Sequence, residues 1–103
     1  MKGVISATVL VGPSSQAMPR ISYFYGIAIR IYYDEHPPPH FHALYGDDVG
    51  QIEIETGKLI GGALPRRALA LVRRWRKLHI HELMEDWNWA QAHQHLKMIE
   101  PLE

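Results

Sequence analysis

Cysteine is missing from the 103 residues, which excludes a disulfide scaffold, a thiolate nucleophile and any zinc site built on cysteine. Net charge is missing too. Eleven Lys and Arg balance eleven Asp and Glu, so no overall field draws the chain to nucleic acid, and only a local cluster can do so. No apolar run approaches the roughly 20 residues needed to span a bilayer, and Lys2 followed by a short, broken apolar stretch is a poor secretory signal. Internal repeats and low-complexity segments are absent as well. These absences point to a soluble, cytoplasmic chain with no membrane partner, of a length that suits one modest core.

What the chain has in excess is histidine, seven in all, two of them delivered by the stretch His36-Pro37-Pro38-Pro39-His40-Phe41-His42-Ala43-Leu44-Tyr45-Gly46. Proline fixes φ and lacks an N–H, so Pro37 to Pro39 is expected to run as a stiff extended segment, with strand pairing free to begin at His40. Side chains alternate across a strand, which puts His40 and His42 on one face and Phe41, Ala43 and Tyr45 on the other. The apolar set belongs in a core, so the two imidazoles are expected to look outward.

Residues 1–17 hold the β-branched run Val4 to Val11 and a Gly-Pro-Ser-Ser turn, and Met18 reads as a second beginning. We therefore expect an N-terminal extension over 1–17, an added strand or a loose tail, and a single α+β domain over 18–103. Ile21 to Asp34 reads as one long strand with Ile27, Ile29 and Ile31 inward, Gly26 marking a bulge or bend. Gly46-Asp47-Asp48 supplies a turn, Gly50 to Glu55 resumes alternation, and Thr56-Gly57-Lys58 turns into a short strand at Leu59-Ile60. The outcome is an antiparallel meander of three or four strands.

Pro65 then opens a helix, with apolar groups at Ala68, Leu71, Val72, Trp75 and Leu78. A second stripe at Ile80, Leu83, Met84, Trp87 and Ala90 is out of phase with the first, which predicts a helix pair or one kinked helix with the break near His79 to His81. Met98-Ile99 is a candidate edge strand. The helices need an apolar partner, so they cover one sheet face and leave Arg30, Tyr32, His40, His42, Gln51 and Glu53 on the open one.

Three chemistries suit that face. Imidazoles titrate near neutral pH, so His40 and His42, oriented by Tyr32 or Glu53, can pass protons to and from a phosphodiester without a metal or other cofactor. Alternatively His36, His40 and His42 bind a metal, with Glu53 as an oxygen ligand. In the third reading the histidines only pack and form hydrogen bonds. Six of the eleven basic residues fall between Arg66 and Lys77. Arg66 and Arg67 in a helix's first turn oppose its dipole unless an anion answers them, which makes them, with Arg30, candidate phosphate ligands. A solvated charged face is the plainer alternative. Trp75 and Trp87 lie on apolar stripes, whereas Trp89 lies off them and is the candidate anchor for a protein partner.

The segments Ile21-Ser22, Phe24-Tyr25-Gly26-Ile27, Pro38-Pro39-His40-Phe41-His42, Tyr45-Gly46, Glu55-Thr56-Gly57, Leu64-Pro65-Arg66-Arg67-Ala68 and Ile99-Glu100-Pro101-Leu102 together resemble the small bacterial family known as domain of unknown function 4160, over Met18 to Leu102. The resemblance implies a compact α+β protein and little mechanism. Members of that family are often encoded beside another small protein, in an arrangement that looks like a toxin–antitoxin pair. The resemblance therefore implies a component of a two-protein, toxin–antitoxin-like module partnered by the adjacent gene product. Joined to the His and Arg reading, the expected function is RNA binding or metal-independent RNA cleavage through an exposed His pair. A His-rich metal-binding protein and a non-enzymatic interaction module are the alternatives, and a homo-oligomer is compatible with each.

Overall fold

The structure, a computed structural model, describes residues 19–103; the reading of 1–17 as an extension falls outside the described residues. Among the described residues five strands follow one another: β1 (Arg20–Phe24), β2 (Ile27–Arg30), β3 (His40–Tyr45), β4 (Asp48–Glu53) and β5 (Leu59–Gly62). They form one antiparallel sheet in the order β1-β2-β3-β4-β5. Two helices follow the sheet among the described residues, α1 (Arg66–Leu78) and α2 (Ile80–Gln91), which makes the fold α+β.

The sheet has one strand more than the upper expectation because the single long strand read over Ile21–Asp34 is a hairpin. Tyr25 and Gly26 both adopt positive φ, 51° and 78°, and Phe24 pairs directly with Ile27 across the two-residue turn. Positive φ at both central residues matches the right-handed twist of the flanking strands, and Gly26 accepts it without a Cβ penalty. The alternation that suggested one strand survives because Phe24 and Ile27 still face the same layer. Met98-Ile99 is not a strand. Ile99 instead donates one backbone hydrogen bond to the Ile21 carbonyl, 2.7 Å, and buries its side chain.

The core forms where the expected inward residues converge. Ile27, Ile29, Ile31, Phe41, Ile52 and Ile54 are fully buried, and α1 answers them with Val72 and Trp75, α2 with Leu83. Trp75 lies 5.8 Å from Phe41 edge-on and 5.3 Å from Phe24, and its indole N–H donates to the Glu100 carbonyl at 2.7 Å, so one ring joins helix, sheet and C-terminal segment. The predicted break falls at His79, whose φ of −135° separates the two helices. Leu78, assigned to the first stripe, is exposed at the last position of α1.

Two members of the basic cluster are structural. Arg76 is buried; its Nε donates to the Ile54 carbonyl at 2.6 Å and Nη2 to the Glu55 carbonyl at 2.8 Å. Gly57, at φ 79°, lets the guanidinium lie against the turn, since a Cβ there would come within 2.9 Å of Nη1. Arg73 adds a bond to the Gly57 carbonyl at 2.9 Å. Together they pin α1 to the turn after β4 by satisfying carbonyls that no strand pairs.

Candidate metal centre

Strand register places His42 opposite Arg30 on one side and Gln51 on the other, and His40 opposite Glu53. The two imidazoles do share the face opposite Phe41 and Ala43, as alternation requires. They are not open to solvent. Each residue is only 5% exposed, which corrects the expectation of an exposed pair. Tyr32 lies on His42, ring centroids 4.1 Å apart and 11° from parallel, and Trp87 of α2 packs on His40 at 5.3 Å. Ring packing from the segment after β2 and from the second helix therefore roofs a part of the sheet that pattern alone left bare.

The residue that completes the cluster is Glu35. Its Oε1 lies 2.7 Å from His40 Nε2 and 3.7 Å from His42 Nε2. Three interactions hold the segment that carries it: the Tyr33 hydroxyl donates to the Gln94 carbonyl at 3.1 Å, Asp34 pairs with His93 at 2.7 Å, and Gln91 Nε2 donates to the Glu35 carbonyl at 3.0 Å. The proline run is not the stiff extended piece expected; it bends at Pro37 and Pro38, whose peptide bond is cis. The Pro38 carbonyl lies 2.8 Å from His40 Nδ1. That oxygen only accepts, so Nδ1 donates to it, and Nε2 is the nitrogen turned to the Glu35 carboxylate, to which it donates in the absence of an ion. Such a bond from one ring nitrogen to a backbone carbonyl fixes tautomer and ring angle for metal ligation at the other.

Burial pushes the His42 imidazole below its ordinary value; Glu35 opposes the shift and His40 adds to it. Neutral imidazole is the form that binds metal. His42 Nε2 is buried and has no hydrogen-bond partner among the described residues, in an environment where an unmet polar atom costs about 1–3 kcal/mol. Among the described residues, Glu35, His40 and His42 form the one group of three His, Cys, Asp or Glu side chains whose donor atoms all lie within 4.8 Å of one another. Two imidazoles and a carboxylate suit zinc or iron.

The other expected site residues are arranged differently. Glu53 stands across from His40, but its Oε1 accepts the Thr56 hydroxyl at 2.6 Å, so Glu35 and not Glu53 orients the histidine. His36 is exposed and outside the donor cluster. Tyr32 contributes its ring face. Arg30 is on the histidine face, whereas Arg67 lines a cavity of about 220 Å³ with Tyr25, Tyr45 and Pro65. Tyr45 is three residues beyond His42, about 10 Å of strand, and on the other face, so Arg66 and Arg67 do not join the histidines. Trp89 carries the Lys97 ammonium over its ring at 5.2 Å. Glu35 and Trp87 were missed as site residues: Glu35 is five and seven residues before its partners, at no recognised ligand spacing, and Trp87 reads as core.

A family model described as Domain of unknown function (DUF4160) matches residues 26–88, from the first hairpin turn into α2. No curated protein and no solved structure matches the chain. Among the described residues no helix is long and apolar enough to cross a membrane.

Proposed function

The chain belongs to the DUF4160 family, and we propose that it is a metal-binding protein whose ligands are Glu35, His40 and His42. The observation that carries this reading is the buried His42 Nε2, left without a hydrogen-bond partner among the described residues, beside a carboxylate and a second imidazole whose far nitrogen is already engaged. A divalent ion meets all three donors at once and removes the cost of the orphaned nitrogen. Three protein ligands leave further coordination positions for water or substrate, which is the arrangement of catalytic rather than purely structural zinc. The test is elemental analysis of the purified protein, followed by reloading after chelation. The expected result is one zinc or iron per chain, lost in Glu35→Gln and His42→Ala and retained in His36→Ala. Equal metal content in all four proteins would overturn it.

A second reading, contact with RNA, is supported by a different part of the molecule. Arg66 and Arg67 are exposed at a helix start with no side-chain cap and no acidic residue in its first turn, and neither makes an ion pair or hydrogen bond with the described residues. Arg67 shares its cavity with two exposed tyrosines, Tyr25 and Tyr45, and aromatic faces beside arginine suit a stacked base and its phosphate. The histidines as metal-free acid and base, and the chain as half of a toxin–antitoxin-like pair, are further proposals. Filter binding of single-stranded RNA is expected to weaken in Arg66→Ala/Arg67→Ala with a shallower salt dependence, and an unchanged slope would remove those residues from the contact. Co-purification with the product of a neighbouring gene tests the pair.

A further inference from the structure

Away from the histidines, a crevice of about 180 Å³ opens between α2 and the chain that follows it. Glu82, Glu85, Asp86 and Trp89 line one side, Lys97 and Met98 the other. Asp86 is 1% exposed; its Oδ1 accepts the Lys97 backbone N–H at 2.8 Å, while Oδ2 is buried with no partner among the described residues. Glu82 and Glu85 each engage one histidine, His79 and His81, through one oxygen. The nearby cation, Lys97, holds its ammonium over the Trp89 ring.

This wall of carboxylates has an unmet need for donors and is not built for an inorganic ion, because its acidic groups are not close enough to form a donor cluster like that of Glu35, His40 and His42. A planar cation with several N–H groups spans such spacing, and guanidinium combines a fork of donors with a face that stacks on indole. Lys97 demonstrates that the Trp89 face receives positive charge. Met98, 69% exposed at the rim, offers apolar contact to the aliphatic stem and the backbone of an incoming chain.

We propose that this crevice takes an arginine side chain of a protein partner, its guanidinium against Trp89 and flanked by Glu82 and Glu85, with the buried Asp86 carboxylate behind them supplying charge. Burial raises the Asp86 carboxyl to about 6, with Glu85 and Glu82 adding to the rise and the Lys97 backbone bond and charge opposing it. An arriving cation favours the ionised form, so binding strengthens as pH rises through that range.

The experiment uses the full chain in EDTA, which separates it from metal binding, and follows the Trp89 indole and Lys97 amide by NMR. The probe is Nα-acetyl-arginine methylamide and the control is the neutral citrulline analogue. Saturable shifts are expected with arginine and not with citrulline. Asp86→Asn, which keeps an oxygen for the Lys97 bond and so preserves the fold, is expected to weaken binding at least ten-fold at pH 7.5. Lys97→Ala, which removes the competing ammonium, is expected to tighten it. Equal responses to the two probes, or unaltered affinity in a folded Asp86→Asn protein, would overturn the proposal. Tighter binding of free arginine than of the blocked probe would overturn the assignment to a protein partner.

Discussion

Tyr32 lies flat on His42, ring over ring at 4.1 Å, and so makes a buried nitrogen cluster out of a strand position that alternation aims at solvent. The contact is one of faces and does not use the phenol oxygen. Tyr32→Phe is accordingly expected to keep zinc affinity within two-fold, whereas Tyr32→Ala, which unroofs His42 and frees its ring, is expected to lose about ten-fold. Competition against a fluorescent zinc chelator measures both.

Arg76 and Arg74 are two residues apart in sequence and far apart in consequence. Arg76 is buried over Gly57 and satisfies the carbonyls of Ile54 and Glu55 through Nε and Nη2, a pair of bonds that a lysine ammonium has no planar fork to reproduce. Arg76→Lys is expected to destabilise the fold by about 2 kcal/mol, and Arg74→Lys, at an exposed position, by less than about 0.5 kcal/mol. Urea denaturation compares them, and equal midpoints would contradict the assigned role.

Asp86 makes stability depend on pH. Its carboxyl titrates at about 6 in the folded chain, against an ordinary value of 3.8, so between those values the native state holds a proton that the unfolded chain has already released. The contribution is greatest below pH 4, fades between pH 4 and 6, and leaves a cost of order 3 kcal/mol above that. Asp86→Asn is therefore expected to be more stable than wild type at pH 7.5, with the difference shrinking toward pH 4. Denaturation at three pH values reads the trend, and a constant difference would contradict it.

Tyr25 occupies a turn position with φ 51° that favours Asn or Gly. Tyr25→Asn is expected to raise stability by about 0.5–1 kcal/mol, because Asn adopts that backbone conformation more readily. A lowered melting temperature would contradict the assigned turn.

Much of the architecture is legible in the residue pattern, because it depends on periodicity. The inward isoleucines, the phase change at His79 and the shared face of His40 and His42 all follow from the repeat of a strand or a helix. The Tyr25-Gly26 hairpin escapes that logic, since a two-residue turn leaves alternation looking unbroken and Tyr is not a usual residue at its first position. The site is legible only in part. His40 and His42 are visible as a pair, but the third member reaches them through the path of residues 31–39, which is set by Tyr33, Asp34 and Glu35 bonding to residues 91–94, more than fifty positions away. Contacts at that separation leave no local spacing to read. The burial of Arg76 is hidden for the same reason, an arginine among five other cations being indistinguishable from its solvated neighbours until the turn at Gly57 is in place.

The most direct test is X-ray absorption at the zinc edge on protein loaded one to one. The account predicts two imidazole nitrogens and carboxylate oxygen at about 2.0–2.2 Å, falling to one imidazole in His42→Ala. A first shell of water oxygens alone, or an imidazole count unaltered by that substitution, would contradict it.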